Sequence, residues 1–376
     1  MPKSKWIAPP HTIAKHQIYA GYLTKWHLIF SRAKYRSWDR LRICDAFAGV
    51  GEYDDGRPGS PIIAMQTNAE NRRSNPSACP VEFLFVEDEQ EYYIRLKQNV
   101  ESEQQKRPSA IWSCEVRYGD AETESRQFLA ANKGTVTPTL FFLDQYGYSK
   151  APMKLIRDVM QHEKHEALVY VNWKRMKPYF TDETKADAYT RAFGCDAWRK
   201  LIGKRSGAAA EAERLYKQCL RERAGVSYVL DFPMRDKNGQ VIYWLFFCTN
   251  STKGLAEMKK AMWEVDSGDG SGFRDGDENQ PLFPNLETFG EDELASELLA
   301  RFQDEWVTMA KVEEFVLTET PAYKYAEALG RMWKRKMVET KEAGKGRPKF
   351  TDPNLGVRFK PEPPPPLKQP ELFPLS

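Results

Sequence analysis

The pattern of apolar and polar positions predicts a chain in which strands alternate with helices. Between residues 12 and 30, apolar side chains recur at spacings of three to five, which indicates an amphipathic helix. Five apolar runs with strand character follow, separated by stretches of helical pattern, at residues 41–47, 81–86, 111–118, 140–143 and 167–172. This alternation is typical of a parallel sheet covered by helices on both faces, so we expect an α/β fold.

The end of this sheet is predicted to be antiparallel. Apolar runs at residues 227–232 and 241–248 flank the dipeptide Asn238-Gly239. Asn-Gly in a short connection between two apolar runs favours a β-hairpin. The charged, helical stretch at about residues 180–225 would then be an insertion before the hairpin.

Charge and composition predict a second module after the sheet. Residues 267–285 are rich in Gly, Asp and Pro and lack periodicity. Residues 264–305 carry 13 acidic and 2 basic side chains, whereas residues 331–360 carry 10 basic and 3 acidic ones. Three predicted helices (293–302, 307–315 and 323–338) and a basic ribbon at 344–349 are typical of a winged helix. The predicted organisation is a Rossmann-like domain (1–266), a linker (267–290), a winged helix (291–360) and a proline-rich tail (361–376).

Composition narrows the class of protein. The 376 residues are 41% hydrophobic and 29% charged, which excludes wholesale disorder. No apolar run approaches the ~20 residues of a membrane helix, and no signal-peptide pattern opens the chain, so we expect a cytoplasmic protein. The six cysteines lack Cys-x-x-Cys spacing, and of the five histidines only His162 and His165 could share a helix face, so no metal site is expected.

A glycine turn follows the first predicted strand. The strand leads through Asp45 into Gly49-Val50-Gly51. Two glycines allow a tight turn and let backbone N–H groups approach a ligand. Position 54 is Asp, so the turn lacks the third glycine of the pyrophosphate fingerprint of NAD enzymes. A purely structural turn is the alternative.

Carboxylates also follow the next three strands, at Glu87, Asp120 and Asp144. Ligands of open α/β sheets bind at the carboxyl ends of the strands. A carboxylate at Glu87 can accept hydrogen bonds from ribose hydroxyls, and Asp120 suits an adenine amino group. Each acid taken alone could be a solvated turn, but together they predict a site for an adenosine-containing ligand.

These residues resemble the three-Cys-motif partner proteins, a family of the class I S-adenosylmethionine-dependent methyltransferase superfamily. The resemblance covers nearly the whole chain. It is carried by Lys15-His16-Gln17-Ile18 with Tyr22, residues 45–53 with Gly59-Ser60-Pro61, Phe85-Val86-Glu87, residues 249–254 with 258–263, and the trailing winged helix.

The resemblance implies a Rossmann-like, seven-stranded methyltransferase sheet that binds S-adenosylmethionine. The cofactor-binding residues that it implies, from the methionine end through the ribose to the adenine, are Asp45, Phe47, Gly49, Gly51, Glu87 and Asp120. The three cysteines of the family name belong to a neighbouring protein. Such a protein is therefore a candidate partner.

Asp144 occupies the position of the first residue in the Asp-Pro-Pro-Tyr motif of methyltransferases that act on the amino group of adenine. In that motif the side-chain oxygen accepts a hydrogen bond from the attacking amine, and an aromatic ring stacks on the extruded base. Here Gln145-Tyr146 replaces Pro-Pro, so the stacking ring would be Tyr146 or Tyr148. The resemblance implies catalytic roles for Asp144, Tyr146 and Tyr148 in methylation of a nucleic-acid base. The alternative is an inactive methyltransferase-like protein that binds nucleic acid or scaffolds a partner.

The basic end of the chain is predicted to contact DNA or RNA. A winged helix places its last helix in the major groove and sets cations on flanking phosphates. The candidate residues, on the third helix and the ribbon, are Lys334, Arg335, Lys345, Arg347 and Lys349. A protein-binding winged helix with a basic rim is the alternative.

Three further segments can be interpreted, and two of them have an alternative. Ser60 is interpreted as the N-cap of a helix. Lys15 and His16 could cover the cofactor site, although an exposed pair on an amphipathic helix is simpler. The cations of residues 173–177 could contact phosphate or lie in a solvated loop.

Overall fold

The computed structural model divides the chain into two compact units, Met1–Asn285 and Leu286–Ser376. None of the helices it describes is long and apolar enough to cross a membrane. The residues that it describes are 7–32, 36–107, 111–132, 136–204, 206–265, 272–274, 291–320, 322, 325–341 and 346–362.

The first unit contains a large sheet with helices on both faces. Its strands are β1 (Leu41–Asp45), β2 (Val81–Glu87), β3 (Ile111–Tyr118), β4 (Thr139–Leu143), β5 (His165–Val171), β6 (Tyr228–Arg235), β7 (Val241–Thr249) and β8 (Phe273–Arg274). Its helices are α1 (Pro10–Ser31), α2 (Ser60–Ser74), α3 (Gln90–Lys106), α4 (Ala121–Ala130), α5 (Met153–Met160), α6 (Trp173–Met176), α7 (Ala186–Phe193), α8 (Ala208–Ala224) and α9 (Thr252–Val265).

The strand order is β3-β2-β1-β4-β5-β7-β6-β8. Strands β1 to β5 are mutually parallel, and β7 runs antiparallel to both β5 and β6. This confirms the predicted mixed α/β sheet with its antiparallel terminal hairpin. Strand β2 lies on one side of β1 and strand β4 on the other, so the strand order reverses between β1 and β4. Such a switch in strand order opens a crevice at the carboxyl ends of the strands.

Two hydrophobic clusters enclose the sheet, one on each face. Adjacent side chains of β1 show the alternation, because Ile43 packs into the cluster with α1, α2 and α9, whereas Cys44 packs into the cluster with α5 and α8. Every residue of β1 and β4 is buried. Burial on both faces explains why these strands have continuous apolar runs.

The predicted helical insertion contains α7 and α8 with short 3₁₀ turns at Glu183–Lys185 and Asp196–Leu201, and a further 3₁₀ turn at Lys177–Tyr179 precedes it. Its aromatic side chains pack on one another, with the ring of Tyr189 stacked 4.9 Å from Phe180 and 4.8 Å from Trp198. This aromatic stack holds the insertion against the sheet face that carries α5.

Part of the predicted linker belongs to the sheet. Phe273 and Arg274 form β8, an eighth strand beside β6. A Cβ on Gly272 would lie only 2.9 Å from the carbonyl oxygen of Pro233, so glycine permits this close approach. The rest of the predicted linker and most of the proline-rich tail lie outside the described residues.

The second unit contains three helices and a small sheet in its described part. The elements are α10 (Glu291–Phe302), β9 (Val307–Thr308), α11 (Met309–Glu319), α12 (Tyr325–Lys334), β10 (Val338–Lys341) and β11 (Gly356–Phe359). The sheet order is β10-β11-β9, and both pairs are antiparallel. Leu298, Val312, Leu329 and Val357 are fully buried in its core.

Two predicted helix boundaries in the second unit are wrong. Val307 starts a strand rather than a helix, because it pairs with Val357 of β11. The third helix ends at Lys334 rather than at Val338, since Lys336 adopts a left-handed backbone conformation with φ of 62° and Val338 joins β10.

Candidate active site

A cavity of about 880 Å³ lies at the carboxyl ends of β1, β2, β4 and β5, next to the start of α1. Most of the residues predicted for the cofactor and for catalysis meet here. Those that line the cavity are Phe47, Gly49, Gly51, Glu87, Asp144 and Tyr146.

The glycine turn is held by backbone hydrogen bonds. Gly49 and Gly51 have positive φ angles of 64° and 79°, which favour glycine. Gly59 N–H donates to the Gly51 carbonyl oxygen at 2.7 Å, and a Cβ on Gly59 would lie 2.9 Å from that oxygen. The turn therefore brings the backbone of Gly49 and Gly51 to the cavity.

Glu87 is fixed in place by the backbone around it. One carboxylate oxygen accepts a hydrogen bond from Gly49 N–H and the other from Glu89 N–H, both at 2.9 Å. Burial raises the pKa of this carboxyl, and the two backbone N–H groups act against that rise. Each carboxylate oxygen keeps a second lone pair that can accept a hydrogen bond from a ligand.

Asp45 lies fully buried at the end of β1. The pKa of its carboxyl is raised to about 7, chiefly by burial. The charge of Asp144 adds to this rise, whereas a hydrogen bond from Ser60 opposes it. One carboxylate oxygen accepts from Phe47 N–H at 3.2 Å, but Oδ2 has no hydrogen-bond partner in the described part of the chain.

The interpretation of Ser60 as a helix N-cap is wrong. Gly59 takes the cap position of α2, and Ser60 is the first residue of the helix. The Ser60 hydroxyl bonds to Asp45 instead, because the close backbone contact between Gly59 and Gly51 brings the start of α2 under the glycine turn.

Asp144 forms an ion pair with Lys15 of α1. Only 7% of the Lys15 side chain and 17% of the Asp144 side chain are exposed. The ammonium also lies 5.3 Å from the centre of the Tyr170 ring. The interpretation of Lys15 and His16 as an exposed pair is therefore wrong, because both are buried and both line the cavity.

His16 is neutral in this environment. Burial, assisted by the neighbouring charge of Lys15, lowers the pKa of the imidazole to about 3. Its ring lies 5.9 Å from the ring of Tyr53, which also lines the cavity. The N-terminal helix thus contributes the Lys15 cation and the neutral His16 imidazole to the cavity, together with His11 and Thr12.

The loop after β4 is held rigid by Gln145. Its buried amide donates to the Tyr170 carbonyl at 3.1 Å and accepts from Ala151 N–H at 3.0 Å. Tyr146 beside it is 78% exposed, with the Arg175 guanidinium 3.7 Å from the centre of its ring. The segment at residues 173–177 thus brings Arg175 to the cavity, whereas Trp173 is buried in the core.

Three predicted site residues are not in the cavity lining: Asp45, which is fully buried at the end of β1, Tyr148 and Asp120. Tyr148 stacks on Tyr189 of the insertion, with ring centres 4.8 Å apart, because the chain turns at Gly147, whose φ is 152°. Of the two candidate stacking rings, only Tyr146 is at the cavity. Asp120 is exposed and caps α4 by accepting from Thr123 N–H at 2.9 Å.

The predicted nucleic-acid residues of the second unit have different surroundings. Arg335 forms ion pairs with Asp292 at 2.7 Å and with Glu362 at 2.6 Å, so its charge is compensated. Arg347 is exposed beside Gly330 of α12, where a Cβ would lie 2.6 Å from its guanidinium. Lys334 and Lys349 are exposed, and Lys345 lies outside the described residues.

No family model matches the sequence, and no curated protein matches it. Several solved structures are similar. A human methyltransferase 10 domain containing protein has 11% identity over 62% of this chain and 82% of its own, with a TM-score of 0.33. A putative O-methyltransferase from Klebsiella pneumoniae has 12% identity over 65% and 92%, with a TM-score of 0.33. The N-terminal domain of human METTL16 in complex with SAH has 13% identity over 62% and 70%, with a TM-score of 0.29. At these values the functional assignment rests on the residues of this chain.

Proposed function

We propose that this chain is an S-adenosylmethionine-dependent methyltransferase that acts on an amino group of a nucleic-acid base. The observation that carries the proposal is the composition of the cavity beside β1 and β4. It combines the backbone of the glycine turn, the oriented carboxylate of Glu87, and Asp144 with the exposed ring of Tyr146.

The residues beside β1 and β2 suit this cofactor. The buried Asp45 has a carboxylate oxygen without a partner among the described residues, and Glu87 has lone pairs available for ribose hydroxyls. When bound, S-adenosylmethionine supplies a methyl group carried on a sulfonium. We assign the methionine end to Asp45, Phe47, Gly49 and Gly51 and the ribose to Glu87. An adenine contact of Asp120 requires the ligand to extend past Glu87, whose carbonyl oxygen accepts from Gly119 N–H at 3.2 Å.

The residues beside β4 and β5 would orient the acceptor. The Asp144 carboxylate can accept a hydrogen bond from an exocyclic N–H, which aims the nitrogen lone pair and orients the amine without deprotonating it. The exposed ring of Tyr146 can stack on a base that has left its duplex. Arg175, held over that ring, is placed to contact a backbone phosphate.

Cofactor binding is tested by calorimetric titration of the full chain with S-adenosylmethionine or its demethylated product, S-adenosylhomocysteine. We expect micromolar affinity for the wild type. Glu87→Ala should weaken binding by about 1.5–3 kcal/mol, or about 10- to 150-fold in Kd, because hydrogen bonds to a charged acceptor are lost. Glu115→Ala, which removes an exposed carboxylate of β3, is the control and should bind like wild type. A folded wild-type chain that shows no heat of binding at high ligand concentration contradicts the cofactor assignment.

We further propose that the chain is a three-Cys-motif partner protein with a three-Cys-motif protein as its partner, and that its second unit is a winged helix that contacts nucleic acid. The motif segments at Lys15–Ile18, at residues 45–53 and at residues 249–254 support the family assignment. The order helix, strand, helix, helix, strand, strand and the antiparallel three-stranded sheet support the winged helix.

The exposed cations of the second unit predict salt-dependent binding. Replacing Arg347 and Lys349 together by alanine should reduce the slope of log K against log salt for duplex binding by about two, since each phosphate contact contributes about 0.9. Arg335→Ala is the matched control, because this side chain is already paired with Asp292 and Glu362. Fluorescence anisotropy with duplex DNA and duplex RNA measures the slopes. Identical slopes for wild type and the double variant would exclude these contacts.

An inactive, scaffolding protein is the second candidate function. It is favoured by the ion pair between Asp144 and Lys15 and by the replacement of Pro-Pro by Gln145-Tyr146. Such a protein would still bind the cofactor but would transfer no methyl group. The two candidates therefore differ in the transfer assay and not in the titration.

A further inference from the structure

The second unit has a groove that the proposed methyl transfer does not use. Its volume is about 790 Å³, within the range of about 300–1,000 Å³ that small-ligand sites occupy. It is lined by two indole rings, by lysines and by the strand β10. The lining residues are Trp306, Trp333, Lys334, Lys336 and residues 338–341.

Trp306 is an accessible aromatic surface in this groove. The side chain is 38% exposed and lies beside Gly356 of β11. The Lys341 ammonium lies 4.6 Å and the Arg358 guanidinium 5.0 Å from the ring centre. Because the Lys341 side chain is exposed, a flat ring can replace its ammonium on the indole.

The groove is positively charged. Lys334, Lys336 and Lys341 are exposed, and none of them forms an ion pair with another described residue. Glu339, the acidic residue among the described lining residues, is already paired with Arg358 and Lys360. The three ammonium groups are therefore available to an anionic ligand.

We propose that this groove binds single-stranded nucleic acid, with unpaired bases stacked on Trp306 and Trp333 and with the three lysines on flanking phosphates. Indole rings between cations match a ligand that alternates flat bases with phosphates. An acidic peptide offers the charge without the rings. In a duplex the bases are stacked on one another, so the indoles cannot reach their faces. This inference does not depend on Asp144 or on the cofactor.

The test measures binding of the full chain to a fluorescein-labelled 12-nucleotide oligo(dT), its RNA counterpart oligo(U), and heparin, which has charge but no bases. We expect Trp306→Ala to weaken binding to oligo(dT) or oligo(U) about tenfold or more, and Trp306→Phe, which keeps a ring, to restore most of it. Trp112→Ala is the matched control, since Trp112 is also exposed beneath an arginine, Arg40, but belongs to the first unit. Lys341→Gln should reduce the salt slope for the single strand by about 0.7.

The measured outcomes separate the alternatives. Oligonucleotide affinity that is unchanged in Trp306→Ala overturns the proposal. Equal losses for heparin and for oligonucleotides show a site for polyanions without base stacking, which also overturns it. A melting curve that matches the wild type shows that the Trp306→Ala variant is folded, and Trp306→Phe provides the readout if it is not. Failure of the cofactor titration would overturn the methyltransferase assignment and leave this result unaffected.

Discussion

Replacing Asp144 by alanine is expected to lower methyl transfer to nucleic acid by about 100- to 1,000-fold, the effect of removing one group that is preorganised towards the reacting atoms. The carboxylate lies directly after the buried strand β4, and Gln145 holds the following loop through two hydrogen bonds. Its position is therefore fixed before any acceptor binds. The affinity for S-adenosylhomocysteine should stay within a few-fold of wild type, because the role proposed for this residue is to contact the acceptor and not the cofactor.

The measurement follows labelled methyl from the cofactor into DNA and RNA incubated with each variant. Glu52→Ala is the control, because Glu52 is an exposed acidic residue that lines the same cavity. If Asp144→Ala transfers methyl as fast as wild type, the reaction does not need this carboxylate. If wild type binds the cofactor but transfers to neither nucleic acid, with or without a partner protein, the result favours the scaffolding function over methylation of nucleic acid.

The sheet could be predicted because its central strands are buried on both faces. Short continuous apolar runs such as residues 140–143, alternating with stretches of helical pattern, are typical of strands in a parallel sheet. The hairpin could also be predicted, because Asn238-Gly239 marks its turn locally. The strand β8 could not be predicted, because residues 273–274 owe their strand conformation to pairing with β6 and to the close approach of Gly272 to Pro233.

The polar part of the site was less predictable than its glycine turn. The sequence of α1 predicts that Lys15 is exposed. Its partner Asp144 lies 129 positions away, so the helix sequence does not predict the buried ion pair. The choice between Tyr146 and Tyr148 depends on the direction that the chain takes at Gly147, which a sequence pattern does not specify. The place of Ser60 is equally hard to predict, since its partner Asp45 belongs to a different element.

Replacing Lys15 by methionine is expected to lower the free energy of unfolding of the first unit by about 3 kcal/mol, because it leaves the Asp144 carboxylate without its buried counter-charge. The value lies at the lower end of the ~3–5 kcal/mol range for broken buried pairs, since 17% of the Asp144 side chain reaches solvent. Methionine keeps the length and apolar stem of lysine, so packing against Phe142 and Tyr170 is largely preserved. Urea unfolding at pH 7 measures the effect.

A double-mutant cycle with Asp144→Asn shows whether the pair itself is responsible. The amide carries no charge, so adding Lys15→Met to Asp144→Asn should destabilise the chain by much less than it does in wild type. Lys25→Met, on the same helix but only half buried, should change stability by less than about 1 kcal/mol. If Lys15→Met lowers the free energy of unfolding equally in wild type and in Asp144→Asn, the ammonium stabilises α1 through other contacts. Asp144 would then be held by β4 and Gln145 alone, and the N-terminal helix would have no part in orienting the acceptor.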